Sequence, residues 1–142
     1  MNSAAALLNQ HFESLVDDHE RWKELIADDI VWDLPYAPSL GHPRQLAGRE
    51  AVIRHAQWFI GEVSGFRFFD AQVSALADPG MSVGVVRAKG LIRSTGRPYE
   101  QEYVVFLTVR YGKIAHLREY FNPVQAAVAL DAPIAVDYAR SI

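Results

Sequence analysis

No cysteine occurs in the 142-residue sequence. Disulfides, thiolate metal sites and cysteine nucleophiles are therefore excluded, and a reducing cytoplasm is the expected setting. Long apolar runs are missing too. None approaches the ~20 residues that span a bilayer, so no membrane partner is expected. The opening stretch MNSAAALLNQHFESL has no basic start and soon meets acidic residues, which argues against a secretory signal. Charge of one sign is scarce as well. A formal net charge of −3 supplies neither the basic footprint of a nucleic-acid binder nor a polybasic membrane patch. There is no HExxH, and the five histidines are scattered without ligand spacing, so no metal is expected. G-x-S-x-G elbow, P-loop and dinucleotide fingerprint are all absent; GLIRSTGRP has the wrong spacing for a P-loop and lacks the lysine. Any chemistry is expected to need no cofactor and to rest on side-chain acids and bases.

What is present suits one globular domain over residues 1–142: 50% of the residues are hydrophobic and 22% charged. Leu8, Phe12, Leu15, Trp22 and Ile26 recur at helical spacing, predicting one long helix or two broken near Asp17 and Asp18. DDIVWDLPY reads as a short strand, ended by Pro35 and the turn-rich segment Pro38 to Pro43. A second amphipathic helix is predicted from about Arg49 to Val63. Four strand-like runs follow, punctuated by Asp78-Pro79-Gly80, Gly96-Arg97-Pro98 and Tyr111-Gly112. Such turns favour antiparallel neighbours. PVQAAVAL reads as a short helix with Pro123 in its first turn, and residues 131–142 as a loosely attached C-terminal arm. The order predicts an α+β domain whose curved antiparallel sheet wraps around the helices like a cystatin-like roll. The cone so formed is where a ligand belongs.

The run HLREYFNP, residues 116–123, poses a problem. On a strand, His116, Arg118 and Tyr120 share one face, while Leu117, Glu119 and Phe121 share the other. A carboxyl on an apolar face must be paired or must hold its proton. Two readings of Glu119 follow: a neutral acid serving a pocket, or a buried glutamate paired with an arginine such as Arg87 or Arg93. His55 lies on a partly apolar helix face near Val52, Trp58 and Phe59, where a satisfied core histidine is the plain reading. Asp33 alternates with Trp32 and Leu34 and so faces away from them, as a solvated or turn-capping residue or as a pocket residue. Trp32, Tyr36, Trp58, Phe59, Phe68, Tyr103, Phe106 and Phe121 are candidates to line a pocket for a flat ligand, or else simply core. Arg87, Lys89 and Arg93 alternate along one strand and read as a solvated or interface face.

The order of elements resembles the nuclear-transport-factor-2-like superfamily, which includes ketosteroid isomerase and the SnoaL-like polyketide cyclases. WDLPYAP followed by LAGREAVIRHAQWF carries the SnoaL-like pattern. PYEQEYVVFLTVRYGKIAHLREYFNPVQAAVAL resembles the small phenazine-biosynthesis proteins of the PhzA/PhzB type. In those proteins an acidic residue of the Arg-Glu-aromatic strand and a helix histidine act as acid and base, and the matching positions here are Glu119 and His55. Resemblance to ketosteroid isomerase makes Asp33, near the end of the first strand, a further candidate base. The strand YVVFLTV lacks the histidines expected of the phenazine type, which implies a different substrate pocket.

The resemblance implies a small enzyme doing isomerisation, cyclisation, dehydration or condensation next to a carbonyl of a hydrophobic metabolite. A non-catalytic ligand-binding or dimerisation module of the same fold is the alternative. A homodimer is expected by the same resemblance, packed through outward residues such as Val85, Val105 and Leu107.

Overall fold

The computed structural model describes residues 3–135. The N-terminal helical periodicity resolves into two helices. α1 (Ala4–Ser14) begins at Ser3, whose hydroxyl accepts a hydrogen bond from Ala6 N at 3.0 Å and so satisfies a donor left free in the first turn. Its Leu7, Leu8 and Phe12 stripe is buried. A turn through Asp17 and Asp18 leads into α2 (His19–Leu25), which buries Trp22. Inside this core Trp22 Nε1 donates to His11 Nδ1 at 2.9 Å. An indole can only donate, so that imidazole nitrogen accepts and carries no proton. Burial agrees, pushing His11 down to about 4.

β1 (Ile26–Asp33) is followed by a 3-10 turn over Ala37–Leu40, β2 (Gln45–Ala47) and α3 (Arg49–Glu62). Then come β3 (Val63–Ala75), β4 (Met81–Ile92), β5 (Pro98–Arg110), β6 (Lys113–Tyr120) and α4 (Pro123–Leu130). The six strands form one sheet in the order β2-β1-β6-β5-β4-β3. This differs from the expected antiparallel sheet in two respects. β2 is an added edge strand, too short and too exposed to leave a hydrophobic pattern. In addition β1 pairs in parallel with β6, setting Trp32 beside Leu117 and Asp33 beside Arg118. The tight turns joining β3 to β6 force antiparallel neighbours, but the long path from β1 through α3 leaves its direction free.

Curvature comes from β3. Its register breaks between Ser64 and Arg67 and between Phe69 and Gln72, around Gly65 (φ 63°) and Asp70 (φ 54°). Such bulges bend a strand and increase its twist. As a result Trp32 of β1 and Phe68 of β3, from strands separated by β6, β5 and β4, line the same cavity. α1 closes tightly on β4 at Gly84, where an added Cβ would lie 2.9 Å from the Phe12 ring and 3.0 Å from Leu8.

Strand alternation assigns the two faces. Tyr99, Tyr103, Val105 and Leu107 of β5 are buried against the helices. The outward trio expected of Val85, Val105 and Leu107 is therefore corrected: Val105 and Leu107 are only 1% and 0% exposed, within the core of the chain itself. Phe106 is displaced the other way. It lies on the outer face, edge-on to Tyr120 with ring centroids 6.4 Å apart.

α4 is seated by side chains of the β4–β5 hairpin. Gln101 of β5 donates to Asn122 O and accepts from Asn122 N, both at 2.8 Å. The Asn122 side chain then caps α4 through Val124 N and Gln125 N. At the other end Thr95 Oγ1 donates to Ala129 O at 2.7 Å, and Arg97 Nη1 donates to Val128 O at 2.7 Å. Of the expected arm, Ala135 N donates to Ser39 O at 2.6 Å; its remainder, 136–142, lies outside the described residues.

Candidate functional site

Between α3, α4, the 3-10 turn and the inner face of the sheet lies a cavity of about 100 Å³. Apolar and aromatic side chains from every side form its wall, among them Trp32, Phe59, Phe66, Phe68, Phe121 and Leu130. Lysine and arginine are absent from its lining among the described residues.

Glu119 enters from β6. Alternation sets it on the inner face with Leu117, opposite Val105 in the sheet. Its carboxyl makes no ion pair and no side-chain hydrogen bond among the described residues, and Arg87 instead lies 3.7 Å from Asp70 on the exposed side. Packed among apolar groups, Glu119 has its pKa pushed up to about 8 by burial. It holds its proton at neutral pH while part of its surface stays open to the cavity.

His55 enters from the opposite wall. Val52 and Phe59 share its α3 stripe, at spacings of three and four residues that place side chains on one helix face. Its ring meets Trp32 edge-on, with centroids 5.4 Å apart at 84°, and tilts against Trp58 at 5.9 Å. Burial first, and then the neighbouring His42, hold His55 down to about 4. Acid and imidazole are both uncharged at pH 7, the combination that desolvation favours.

Near Glu119 stand two tyrosines of β5. Tyr99 and Tyr103 are both 4% exposed, and their hydroxyl oxygens lie 2.7 Å apart. Burial raises the pKa of each, and the nearby Glu119 charge adds to the rise.

Of the residues singled out in the sequence, Glu119, His55, Trp32, Trp58, Phe59, Tyr103 and Phe121 all line this cavity. Asp33 and Tyr36 do not, and their expected pocket position is corrected. Asp33 stands on the outer face, where Gln45 Nε2 donates to Oδ1 at 2.8 Å and His116 Nε2 lies 2.6 Å from Oδ2. Partial burial works to raise its pKa, but those bonds and the charges of His116 and Arg118 prevail and leave it lowered. Tyr36 sits past the end of β1, 43% exposed and edge-on to Tyr120. The aromatic and polar cavity residues missed in the sequence are Tyr99, Phe66, His42 and Glu62. Tyr99 and Phe66 were available from period-two spacing with Tyr103 and Phe68. His42 carries no such signal, because a turn-rich loop delivers it.

Residues 8–117 match the model of the SnoaL-like domain. The chain belongs to this family, within the nuclear-transport-factor-2-like fold. It is 31% identical over 113 residues to PA3332, an uncharacterised PhzA/B-like protein of Pseudomonas aeruginosa, covering 80% of this chain and 79% of that one. A candidate isomerase from Bacillus subtilis superposes with a TM-score of 0.81 at 26% identity, covering 90% of this chain and 92% of that structure. A phenazine biosynthesis-related protein from Pseudomonas aeruginosa superposes with a TM-score of 0.78 at 22% identity, covering 93% and 83%. At that identity the second likeness speaks for the fold alone.

Proposed function

We propose that this protein is a small enzyme using general acid–base chemistry on a hydrophobic, carbonyl-containing metabolite held in the cavity, with no cofactor. The observation that carries the reading is the unpaired Glu119 carboxyl facing an apolar cavity. A neutral acid there donates a hydrogen bond to the substrate carbonyl oxygen, and a full proton as negative charge develops on it. His55, uncharged on the facing wall, accepts the proton leaving the adjacent carbon. Transfer of that proton and its return at a second carbon gives isomerisation; loss of hydroxide or attack on a second carbonyl gives dehydration or cyclisation. A positioned side chain contributes roughly 10²–10⁴-fold to such a step. The relative described as a candidate isomerase fits this class of reaction.

The test is α-proton exchange in D2O, followed by NMR over a panel of hydrophobic ketones. Exchange above the buffer rate that falls at least ~10²-fold in Glu119→Gln supports the reading. Ketones that bind without accelerated exchange would leave a binding module instead. One observation favours that second reading: an imidazole held down to about 4 is a weak base.

The same reading includes a cytoplasmic setting, in keeping with the cysteine-free composition, and a homodimer through the outer sheet face around Val85, Val104 and Phe106. Sedimentation at micromolar concentration returning the mass of one 15.9 kDa chain would refute the dimer.

A further inference from the structure

The tyrosine pair holds one proton more than the protein uses. Two hydroxyls carry two protons, and the 2.7 Å contact between Tyr99 and Tyr103 employs only one of them. Neither hydroxyl donates to a further acceptor among the described residues. The neighbouring Gln101 side chain does not relieve this, because the bond it makes to Tyr99 comes from its NH2 group, which donates to the hydroxyl oxygen and leaves the spare proton unused. A buried donor without an acceptor costs free energy, so the position calls for an oxygen from outside the chain. In the empty cavity a water molecule can serve, and a ligand oxygen can replace it.

The rest of the lining restricts what that ligand is. With no lysine or arginine facing the cavity among the described residues, a ligand carboxylate or phosphate would be buried there without a counter-charge. Aromatic faces of Trp32, Phe59, Phe66 and Phe68 suit a flat apolar body.

We propose that Tyr99 and Tyr103 form the subsite that binds the ligand's acceptor oxygen through this spare hydroxyl proton. The cavity then selects flat, neutral molecules bearing a ketone or aryl carbonyl over hydrocarbons of the same shape. The proposal rests on the cavity being the binding site, as set out above, and it adds a specificity determinant distinct from Glu119. Because Tyr99 and Tyr103 lie on the same face of one strand, four residues apart, the oxygen is fixed to the sheet wall. The carbon beside it is left free to face His55.

The experiment compares acetophenone with ethylbenzene, near-isosteres differing in the carbonyl, by titration against the full chain with NMR detection. The ratio of the two affinities in the wild type is expected to exceed that in Tyr99→Phe/Tyr103→Phe by about tenfold, with ethylbenzene binding retained. An unchanged ratio would overturn the subsite and leave the cavity reading intact. Failure of both probes to bind the wild type would overturn both. Should the double variant not fold, the wild-type tyrosine hydroxyl proton decides. Its resonance is expected to move downfield with acetophenone and not with ethylbenzene, and a resonance indifferent to both overturns the proposal.

Discussion

Glu119, His55 and Asp33 are three titratable groups that the sequence presents on similar terms, each within three residues of an aromatic. Alternation along one strand was enough to place Glu119 on the apolar side, and helical spacing was enough to place His55 near the core. Asp33 was harder to read. Its alternation with Trp32 put it on the other face, but the arrival of its partners there, His116 and Gln45, depends on the pairing of β1 with both β6 and β2. No local pattern encodes those pairings. The two faces make a residue-level prediction. In the α-proton exchange assay His55→Gln loses roughly tenfold or more. Asp33→Asn, separated from the cavity by the sheet, changes the rate less than about twofold. A comparable loss in both would mean that Asp33 reaches the ligand.

At the scale of elements, the legible parts were those with strong periodicity and clear punctuation: α1, α3, and the β3-to-β6 run with its three turns. The Tyr111–Gly112 turn is a clear case. Both residues have positive φ, 53° and 74°, as a two-residue hairpin turn requires. β2 and the parallel entry of β1 were not legible, because they are set by where the chain returns after the 3-10 turn rather than by side-chain pattern. Also hidden was the role of Gln101, a lone polar residue on an otherwise apolar strand face, which ties β5 to the start of α4 through both the NH2 and the carbonyl oxygen of its side-chain amide. Replacing Gln101 with Ala leaves Asn122 N and O unpaired and is expected to cost about 1–3 kcal/mol. The loss should concentrate in α4, one wall of the cavity. Hydrogen exchange would then accelerate at Ala126 to Leu130 more than at the central strands. Uniform acceleration would contradict a local role.

For the whole molecule, the neutral groups of the interior link stability to pH. His11 and His55 fall from 6.5 to about 4 on folding, and Glu119 rises from 4.5 to about 8. Below pH ~6.5 the unfolded chain takes up histidine protons that the folded chain refuses, so stability falls as pH drops from ~6.5 towards 4. Between ~4.5 and 8 the folded chain keeps the Glu119 proton that the unfolded chain has released, so this contribution, complete below ~4.5, is lost as pH rises towards 8. Two histidines outweigh one glutamate in the lower window, and Glu119 acts alone in the upper one. Thermal unfolding should therefore peak near pH 6.5 and decline towards pH 8 by about 2 kcal/mol at most. Glu119→Gln should remove that alkaline decline. An identical decline in the variant would assign it to other groups. The most direct test of the account remains the titration of the Glu119 carboxyl carbon by NMR, assigned by comparison with Glu119→Gln. A midpoint near 8 is predicted, the mark of an acid held neutral in the cavity. A midpoint at or below the ordinary 4.5 would mean a solvated or paired carboxylate and would contradict the proposed acid.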